Sequence, residues 1–169
     1  MGLFDFLKTD EKPRNIWDTK DKEELVTDIW NLIDEKCDYG DNMQALNEQE
    51  RIFYITQQVE MEVDGSGFYQ FFYNSYGKFA NEMVGAFEEI FAYHTARICQ
   101  KAIDAFGAEI PVDEEAREEL MDELEWADED VCRFTEILEE CDEAFCEYKE
   151  DLTKLNYEYL MRNRSFFEV

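Results

Sequence analysis

The sequence predicts an all-α protein: a single-domain helical bundle of about six or seven helices, ending in a long, acidic C-terminal helix. Apolar residues recur at spacings of three and four along most of the chain, and no stretch alternates apolar and polar residues as a strand would. Only 2 Pro and 7 Gly interrupt 169 residues. With 45% hydrophobic and 15% aromatic residues, the chain can form a core despite its acidity.

The beginning of the chain divides into an arm and one clear helix. Residues 1–20 have mixed charge and no apolar period, so we expect a loosely ordered N-terminal arm, followed by an all-helical domain over residues 21–169. A first helix is predicted over residues 22–36, because its apolar residues share one helical face: Leu25, Ile29 and Ile33. The composition of residues 38–42 is typical of a turn.

Glycines and one capping box mark the predicted helix ends in the middle of the chain. Asn47 followed by Glu50 has the pattern of a capping box, and the helix it begins is expected to end at residues 65–67. A short aromatic helix is predicted over residues 68–75. We expect a longer helical stretch over residues 80–106, bent near residues 93–95 and closed by Gly107.

Two acidic helices are predicted to complete the fold. Pro111 and Asp113 mark the start of a helix over residues 114–127. Apolar residues then keep helical spacing from roughly residue 130 to residue 160, which predicts one continuous helix about 45 Å long.

Most of the net charge lies in this C-terminal part. Residues 113–151 contain 19 Asp and Glu against 3 Lys and Arg, a net of 3 − 19 = −16, whereas the whole chain carries −27. We define a first acidic row, Glu115, Glu118, Glu119, Asp122 and Glu125, and a second acidic row, Glu136, Glu140, Glu143, Glu147 and Glu150. Each row has the three-and-four spacing that places side chains along one side of a helix. Asp128, Glu129 and Asp130 join the rows, and Glu139 lies beside the second.

Composition and charge limit the possible partners. An excess of acid repels nucleic acid and anionic membranes and attracts basic surfaces.

The cysteines indicate the cellular location. The five cysteines are odd in number and form no CxxC pair, which is typical of free thiols in a reducing cytoplasm. No segment is long and apolar enough to span a bilayer. A cytoplasmic location is therefore expected.

The residues of common catalytic and metal sites are missing from the sequence. His94 is the one histidine, so zinc sites built on several histidines and paired Glu-x-x-His di-iron sites are excluded. No phosphate-binding loop and no Gly-x-Ser-x-Gly motif occurs. Paired acids could act as general acid and base, as in glycosidases, but among 43 acids some pair always lies at a suitable distance, so this alternative has little support. We expect no enzyme activity, no catalytic residue, no metal site and no cofactor.

One segment is distinctive. Within residues 62–77, a turn with Gly65 and Gly67 is followed by Gly67-Phe68-Tyr69-Gln70-Phe71-Phe72-Tyr73-Asn74 and then by Gly77. This segment resembles the signature of the bacterial DNA-mimic protein family, a domain long catalogued as being of unknown function. The resemblance extends over about residues 47–107.

The motif itself is expected to be structural. Phe68, Phe71 and Phe72 share one helical face and should fill the core. Gly65 and Gly67 permit a tight reversal between helices. Gln70 and Asn74 lie one turn apart and are expected to bond the backbone of the turn.

The resemblance implies an acidic, usually dimeric protein that occupies the DNA-binding surface of a transcription regulator. The second acidic row offers one carboxylate per roughly 5 Å of helix, which is sparser than the phosphates of one DNA strand at about 3.4 Å. The two rows together approach the charge density of a duplex only if they lie side by side.

The leading hypothesis is therefore a non-enzymatic binding protein that competes with nucleic acid for a basic DNA-binding protein, either a transcription regulator or a nucleoid-type protein. It would contact neither nucleic acid nor membrane itself, and a homodimer is possible. The alternative is a structural or oligomerising helical module whose acidic surface serves solubility only.

Overall fold

Seven α-helices make up the regular structure of the computed structural model, which describes residues 15–126 and 133–168, and no strand occurs within those residues. The helices are α1 (Lys22–Lys36), α2 (Glu48–Tyr73), α3 (Ala80–Glu89), α4 (Tyr93–Asp104), α5 (Glu114–Trp126), α6 (Arg133–Cys146) and α7 (Leu152–Asn163). The predicted all-α bundle is confirmed.

Helix α2 is the centre of the bundle. It is 26 residues long and contacts α1, α3, α5, α6 and α7. Its aromatic side chains form the middle of the core, and five of them are fully buried: Phe53, Tyr54, Phe68, Phe71 and Phe72. The prediction that the three phenylalanines of the motif fill the core is confirmed.

The corner between α1 and α2 follows the sequence closely. Helix α1 has the predicted bounds and buries Leu25, Ile29 and Ile33. The predicted capping box forms at the start of α2, where Asn47 and Glu50 bond each other's backbone amides. The buried Glu50 carboxylate also accepts two hydrogen bonds, 2.7 and 2.8 Å long, from Nζ of Lys36. This ion pair holds the end of α1 against the start of α2.

The glycine turn is a kink and not a helix end. The chain stays helical through Gly65 and leaves helical geometry at Gly67, where φ is 79° and ψ is 170°, before continuing to Tyr73. The Phe68 amide, freed by the kink, donates to Oδ1 of Asp142 on α6 at 2.7 Å. A Cβ at position 67 would lie 2.6 Å from Oδ2 of the same carboxylate. Glycine is therefore required both by the conformation and by the cap.

A buried arginine covers the C-terminal end of α2. Arg117 of α5 is 0% exposed, and within the described residues its guanidinium donates only to backbone carbonyl groups. Two of these belong to the end of α2, Phe72 O and Asn74 O, and three to the chain before α5, Pro111 O, Val112 O and Asp113 O. The negative end of a helix and unpaired carbonyls suit a cation. Arg117 thus fixes α5 on α2.

The side-chain amides of Gln70 and Asn74 are hydrogen-bonded to each other. Gln70 donates to the Asn74 side-chain oxygen at 2.7 Å, and the Asn74 amide donates to Glu62 at 3.2 Å. The expectation that they bond the backbone of the turn is wrong, because Asp142 already serves the amide at the kink. The chain then forms a 3₁₀ helix over Ser75–Phe79.

The helical stretch predicted over residues 80–106 is two helices. The chain breaks between α3 and α4, where Phe91 adopts a φ of 68° and the Ala92 amide bonds Phe87 O at 2.8 Å. This is the hydrogen-bond pattern of a helix C-terminus that glycine normally ends. The break falls just before the bend predicted near residues 93–95, and Gly107 follows α4 with a φ of 64°.

The continuous C-terminal helix predicted over residues 130–160 is wrong. Helix α6 ends at Cys146, Tyr148 has a φ of 44°, and Asp151 caps a new helix, α7, by accepting from the Lys154 amide. The apolar stripe keeps its period across the break. However, α6 packs on α2 and α4, whereas α7 packs on α1 and α2, so the chain has to change direction between them.

Part of the expected arm belongs to the body. Residues Ile16–Asp18 form a 3₁₀ turn, and the Trp17 ring packs edge-on against Phe167 with centroids 6.4 Å apart. The Arg164 guanidinium lies over the same indole. Residues 1–14 lie outside the described part of the chain.

Gly77→Ala tests the contact between α5 and α2. A Cβ at position 77 would collide with the Arg117 guanidinium and with Phe72 O, both held by the bonds described above. We expect the free energy of unfolding to fall by about 2 kcal/mol, measured by urea denaturation.

Gly85→Ala is the matched control. A Cβ at position 85 meets no atom within 4 Å. Since Ala favours a helix interior over Gly by about 1 kcal/mol, this variant should be more stable than the parent. Equal effects of the two substitutions would contradict the assigned contact.

Candidate functional site

Helix α5 has its one basic residue on the buried face and its acidic residues on the outer faces. Asp113 caps the helix by accepting from the Ala116 amide at 3.0 Å. Arg117 and Met121 face the core, and Leu120 and Leu124 pack against it from the edges. The side chains of the opposite faces are acidic. Because Arg117 is the one basic residue of α5 and lies inside, the outer surface of the helix carries no basic side chain.

The first acidic row lies on this surface. Glu115, Glu119, Asp122 and Glu125 are exposed, and Glu118 is half-buried. Among the described residues, no carboxylate of α5 forms a salt bridge with Lys or Arg. Glu125 accepts a hydrogen bond of 3.3 Å from the Tyr69 hydroxyl. Burial, together with Glu125 and Asp122, raises the pKa of Tyr69 to about 12, so the hydroxyl keeps its proton.

The second acidic row is shorter than predicted. Glu136, Glu140 and Glu143 are exposed on α6, with Glu139 beside them. Glu140 accepts a 2.6 Å hydrogen bond from Nζ of Lys101, and this bond lowers the pKa of the carboxyl. Three of the α6 acids, Glu136, Glu139 and Glu143, therefore remain without such a neutralising partner among the described residues.

The far end of the second acidic row leaves the helix. Glu147 follows the end of α6 and forms a salt bridge with Lys149. Glu150 lies at the N-terminus of α4, where it accepts hydrogen bonds of 2.9 Å from the amides of His94 and Thr95 and from the Thr95 hydroxyl. Helix α4 begins after Ala92, which supplies no cap. The expectation that Glu150 presents its charge outward along a helix is therefore wrong.

The relation between the rows follows from the packing. Helices α5 and α6 touch each other, but each packs more extensively on other elements, with α6 on α2 and α4. Both acidic helices therefore lie on the same central helix. Asp128, Glu129 and Asp130, expected to join the rows, lie outside the described residues.

The structural roles of two polar residues, Arg117 and Asp142, were not predicted from the sequence. Arg117 has a detectable signal, because it falls in register with the apolar residues Leu120, Met121 and Leu124 and so has to face the core. Asp142 has none, since its partner, the Phe68 amide, is 74 positions away in the sequence. Burial raises the pKa of Asp142, and the bond from Phe68 opposes that shift.

A small cluster fixes the connection between α6 and α7. The Tyr148 hydroxyl is hydrogen-bonded with Glu60 and with Asp64, which lie one turn apart on α2. Burial raises the pKa of Glu60 to about 7, and the charges of Asp64 and Asp151 add to this shift, while the bond with Tyr148 opposes it. Glu60 is therefore partly protonated near neutral pH.

Three of the four described thiols are buried in the fold. Cys37, Cys99 and Cys141 are buried free thiols, Cys146 is an exposed one, and Cys132 lies outside the described residues. Burial raises the pKa of Cys141 to about 11 and that of Cys99 further, which keeps both protonated. Within residues 15–126 and 133–168, no three His, Cys, Asp or Glu side chains are placed to hold a metal ion. No described helix has the length and apolar character needed to cross a membrane.

Fold and surface together define a small all-α protein with an acidic surface centred on α5. A scan against models of protein families matches residues 44–163 to the family described as DMP19-like protein. This range is more than half of the chain, and the chain belongs to the DMP19-like family. It includes the motif of residues 65–77 and both acidic rows. A search of curated proteins found no match, and a search of solved structures found none either.

Glu150→Ala tests the cap of α4. The change leaves two backbone amides and the Thr95 hydroxyl without their acceptor, and we expect a loss of about 1–3 kcal/mol in the free energy of unfolding at pH 7. Although burial opposes it, these bonds lower the pKa of Glu150. The stabilisation is therefore present above pH about 4.5 and disappears as the pH falls through the folded-state pKa. Glu143→Ala, at an exposed α6 position, should change stability by less than about 0.5 kcal/mol.

Glu60→Gln should remove a pH dependence of stability whose sign is opposite to that of Glu150. The folded chain holds the Glu60 proton more tightly than the unfolded chain, so the contribution of Glu60 is full below pH 4.5 and is lost as the pH rises to about 7. Glutamine keeps the shape without the charge. At pH 8 the variant should exceed the parent by up to about 3 kcal/mol, and at pH 4 the two should coincide. Urea denaturation across this range, with Glu143→Gln as the charge-matched control, measures the difference.

Proposed function

We propose that this protein is a non-enzymatic DNA mimic whose α5 surface, flanked by α6, binds the basic DNA-binding surface of a protein partner such as a transcription regulator. Membership of the DMP19-like family supports this proposal, since the sequence motif within the matched range resembles that of the DNA-mimic proteins. The geometry of the acids provides an independent argument.

The observation that carries the proposal is the charge density of α5. Residues 113–125 contain eight acids, namely Asp113, Glu114, Glu115, Glu118, Glu119, Asp122, Glu123 and Glu125. Twelve residue steps of helix span about 18 Å, so neighbouring carboxylates lie roughly 2.6 Å apart along the axis. This value lies between the phosphate spacing of one DNA strand, about 3.4 Å, and that of the duplex, about 1.7 Å. One helix therefore reaches a density that the α6 acids alone do not.

A purely solvating surface would show a different charge pattern. Lysines and arginines among the acids relieve repulsion between like charges four residues apart, which costs a few tenths of a kcal/mol per pair. The α5 surface has no such residue, because its one base is buried under it. A basic partner would relieve the same repulsion on binding, and the resulting attraction should accelerate association and weaken with salt.

The α6 acids extend the surface to a second helix. Glu136, Glu139 and Glu143 are exposed and without salt bridges in the described structure. Glu140, Asp142, Glu147 and Glu150 have internal partners and are secondary or structural in this proposal. The binding surface is therefore assigned to the first acidic row and to these three α6 residues.

A pair of charge-matched variants tests the assignment. The first carries Glu119→Gln, Asp122→Asn, Glu136→Gln and Glu143→Gln, all within the proposed surface. The second carries Glu23→Gln, Glu35→Gln, Glu109→Gln and Glu168→Gln, all exposed elsewhere. Each loses four negative charges. In pull-downs from a lysate of the source cells, the parent and the second variant should retain the same basic DNA-binding protein, and the first should lose at least about tenfold in affinity.

The mechanism is tested with the retained partner. Duplex DNA should compete with the protein for it, and the parent protein should release the partner from DNA in a mobility-shift assay. If the two variants bind the partner equally well, the partner responds to the overall negative charge of the protein and the proposed α5 surface is wrong. If no basic protein is retained at low salt, the acidic surface serves solubility alone.

A further inference from the structure

An open groove lies between α2 and α3, and it shares no lining residue with the acidic rows. Its volume is about 490 Å³. Ile52 and Ile55 of α2 and Gly85 and Ala86 of α3 form an apolar floor. Ile55 and Ala86 are buried in the core, so the apolar surface that the floor offers to a ligand comes from Ile52 and Gly85.

Gly85 opens this groove, and no contact within residues 15–126 and 133–168 requires a glycine there. It lies inside α3, its φ is not positive, and a Cβ would meet no atom within 4 Å. Gly67 and Gly77, by contrast, are each required by a side chain packed against them. A glycine in a helix interior destabilises that helix relative to alanine. The uncovered helix backbone at Gly85 lets another molecule approach the floor of the groove closely.

The rim of the groove is acidic. Glu48, Glu88 and Glu89 line it and are exposed. The remaining charges at the rim cancel, since Arg51 donates two hydrogen bonds of 2.6 Å to the Glu82 carboxylate. The net charge of the lining is therefore 1 − 4 = −3. A ligand that fits this rim carries positive charge along both edges of an apolar stripe.

The dimensions suit a short helical segment. On α3 the lining extends from Asn81 to Glu89, which is eight residue steps or about 12 Å. Two turns of a partner helix cover this length, and helices that bind in grooves present apolar residues at such spacing.

We propose that the α2–α3 groove binds a cationic amphipathic helix of a protein partner. A small apolar residue of that helix packs on Gly85, and Lys or Arg side chains on either side of it pair with Glu48, Glu88 and Glu89. This site is separate from the proposed DNA-mimic surface, so each can fail without the other.

The probe is a fluorescein-labelled 14-residue peptide of Ala, Leu and Lys with one apolar and one basic face. Binding to the full chain is measured by fluorescence anisotropy at about 150 mM salt, where attraction between distant charges is screened. Backbone amide NMR shifts then locate the peptide. We expect the largest shifts at residues of α2 and α3 that line the groove.

Gly65 provides a matched control for Gly85. Both are exposed helical glycines whose Cβ would meet nothing within 4 Å. Gly85→Leu fills the groove and should weaken peptide binding at least about tenfold, whereas Gly65→Leu should leave binding unchanged. Thermal unfolding of both variants checks that they fold.

A second pair keeps the test decisive if Gly85→Leu does not fold. Glu48→Gln, Glu88→Gln and Glu89→Gln together should also weaken binding about tenfold, and Glu119→Gln, Asp122→Asn and Glu123→Gln should not. Equal weakening by the two triple variants, or NMR shifts centred on α5, would overturn the proposal.

Discussion

The contact between Arg117 and the C-terminal end of α2 determines where the acidic surface lies. Burying a guanidinium is costly unless each donor finds an acceptor, and here the acceptors are main-chain carbonyls at a helix end and in the chain before α5. Burial lowers the pKa of Arg117, while the neighbouring Glu114, Glu118 and Asp113 raise it. The acids on the outside of α5 therefore help to keep the inner cation charged, and the cation holds their helix in place. The buried Arg117 and the acids on the outside of α5 thus stabilise each other electrostatically.

The acids of the C-terminal part divide into two groups with different roles. Asp142 and Glu150 satisfy amides at the starts of helical segments that lack a local cap. The α5 acids and most of the α6 acids face solvent. Charge counting does not distinguish these groups, because a carboxylate that caps a helix and one that meets a partner have the same sequence spacing. The distinction matters for mutagenesis, since neutralising the first group perturbs the fold and neutralising the second changes the surface.

The local features of the fold follow from the sequence, and the long-range ones do not. Helix α1, the capping box at Asn47 and the start of α5 depend on residues within one or two turns, and each forms where expected. The break at Tyr148 was missed because the apolar period continues across it, although Asp151 is a cap signal in the sequence. The exposure of four members of the first acidic row, all but Glu118, was predictable from the helical spacing of the apolar residues alone. The loss of Glu150 from the second acidic row was not, since it depends on the uncapped start of α4, more than fifty positions away.

The paired contacts at Gly67 and Gly77 have a consequence for the history of the family. Each glycine is tied to one distant side chain, Gly67 to Asp142 and Gly77 to Arg117. A replacement of Gly67 is opposed by its positive φ as well as by Asp142, and a replacement of Gly77 by the Phe72 carbonyl as well as by Arg117. Both glycines should therefore be retained among related chains, even where residue 142 or residue 117 has changed. Relatives that retain both pairs share the kink in α2 and the seat of α5, even where the outer acids have diverged and the partner is a different one.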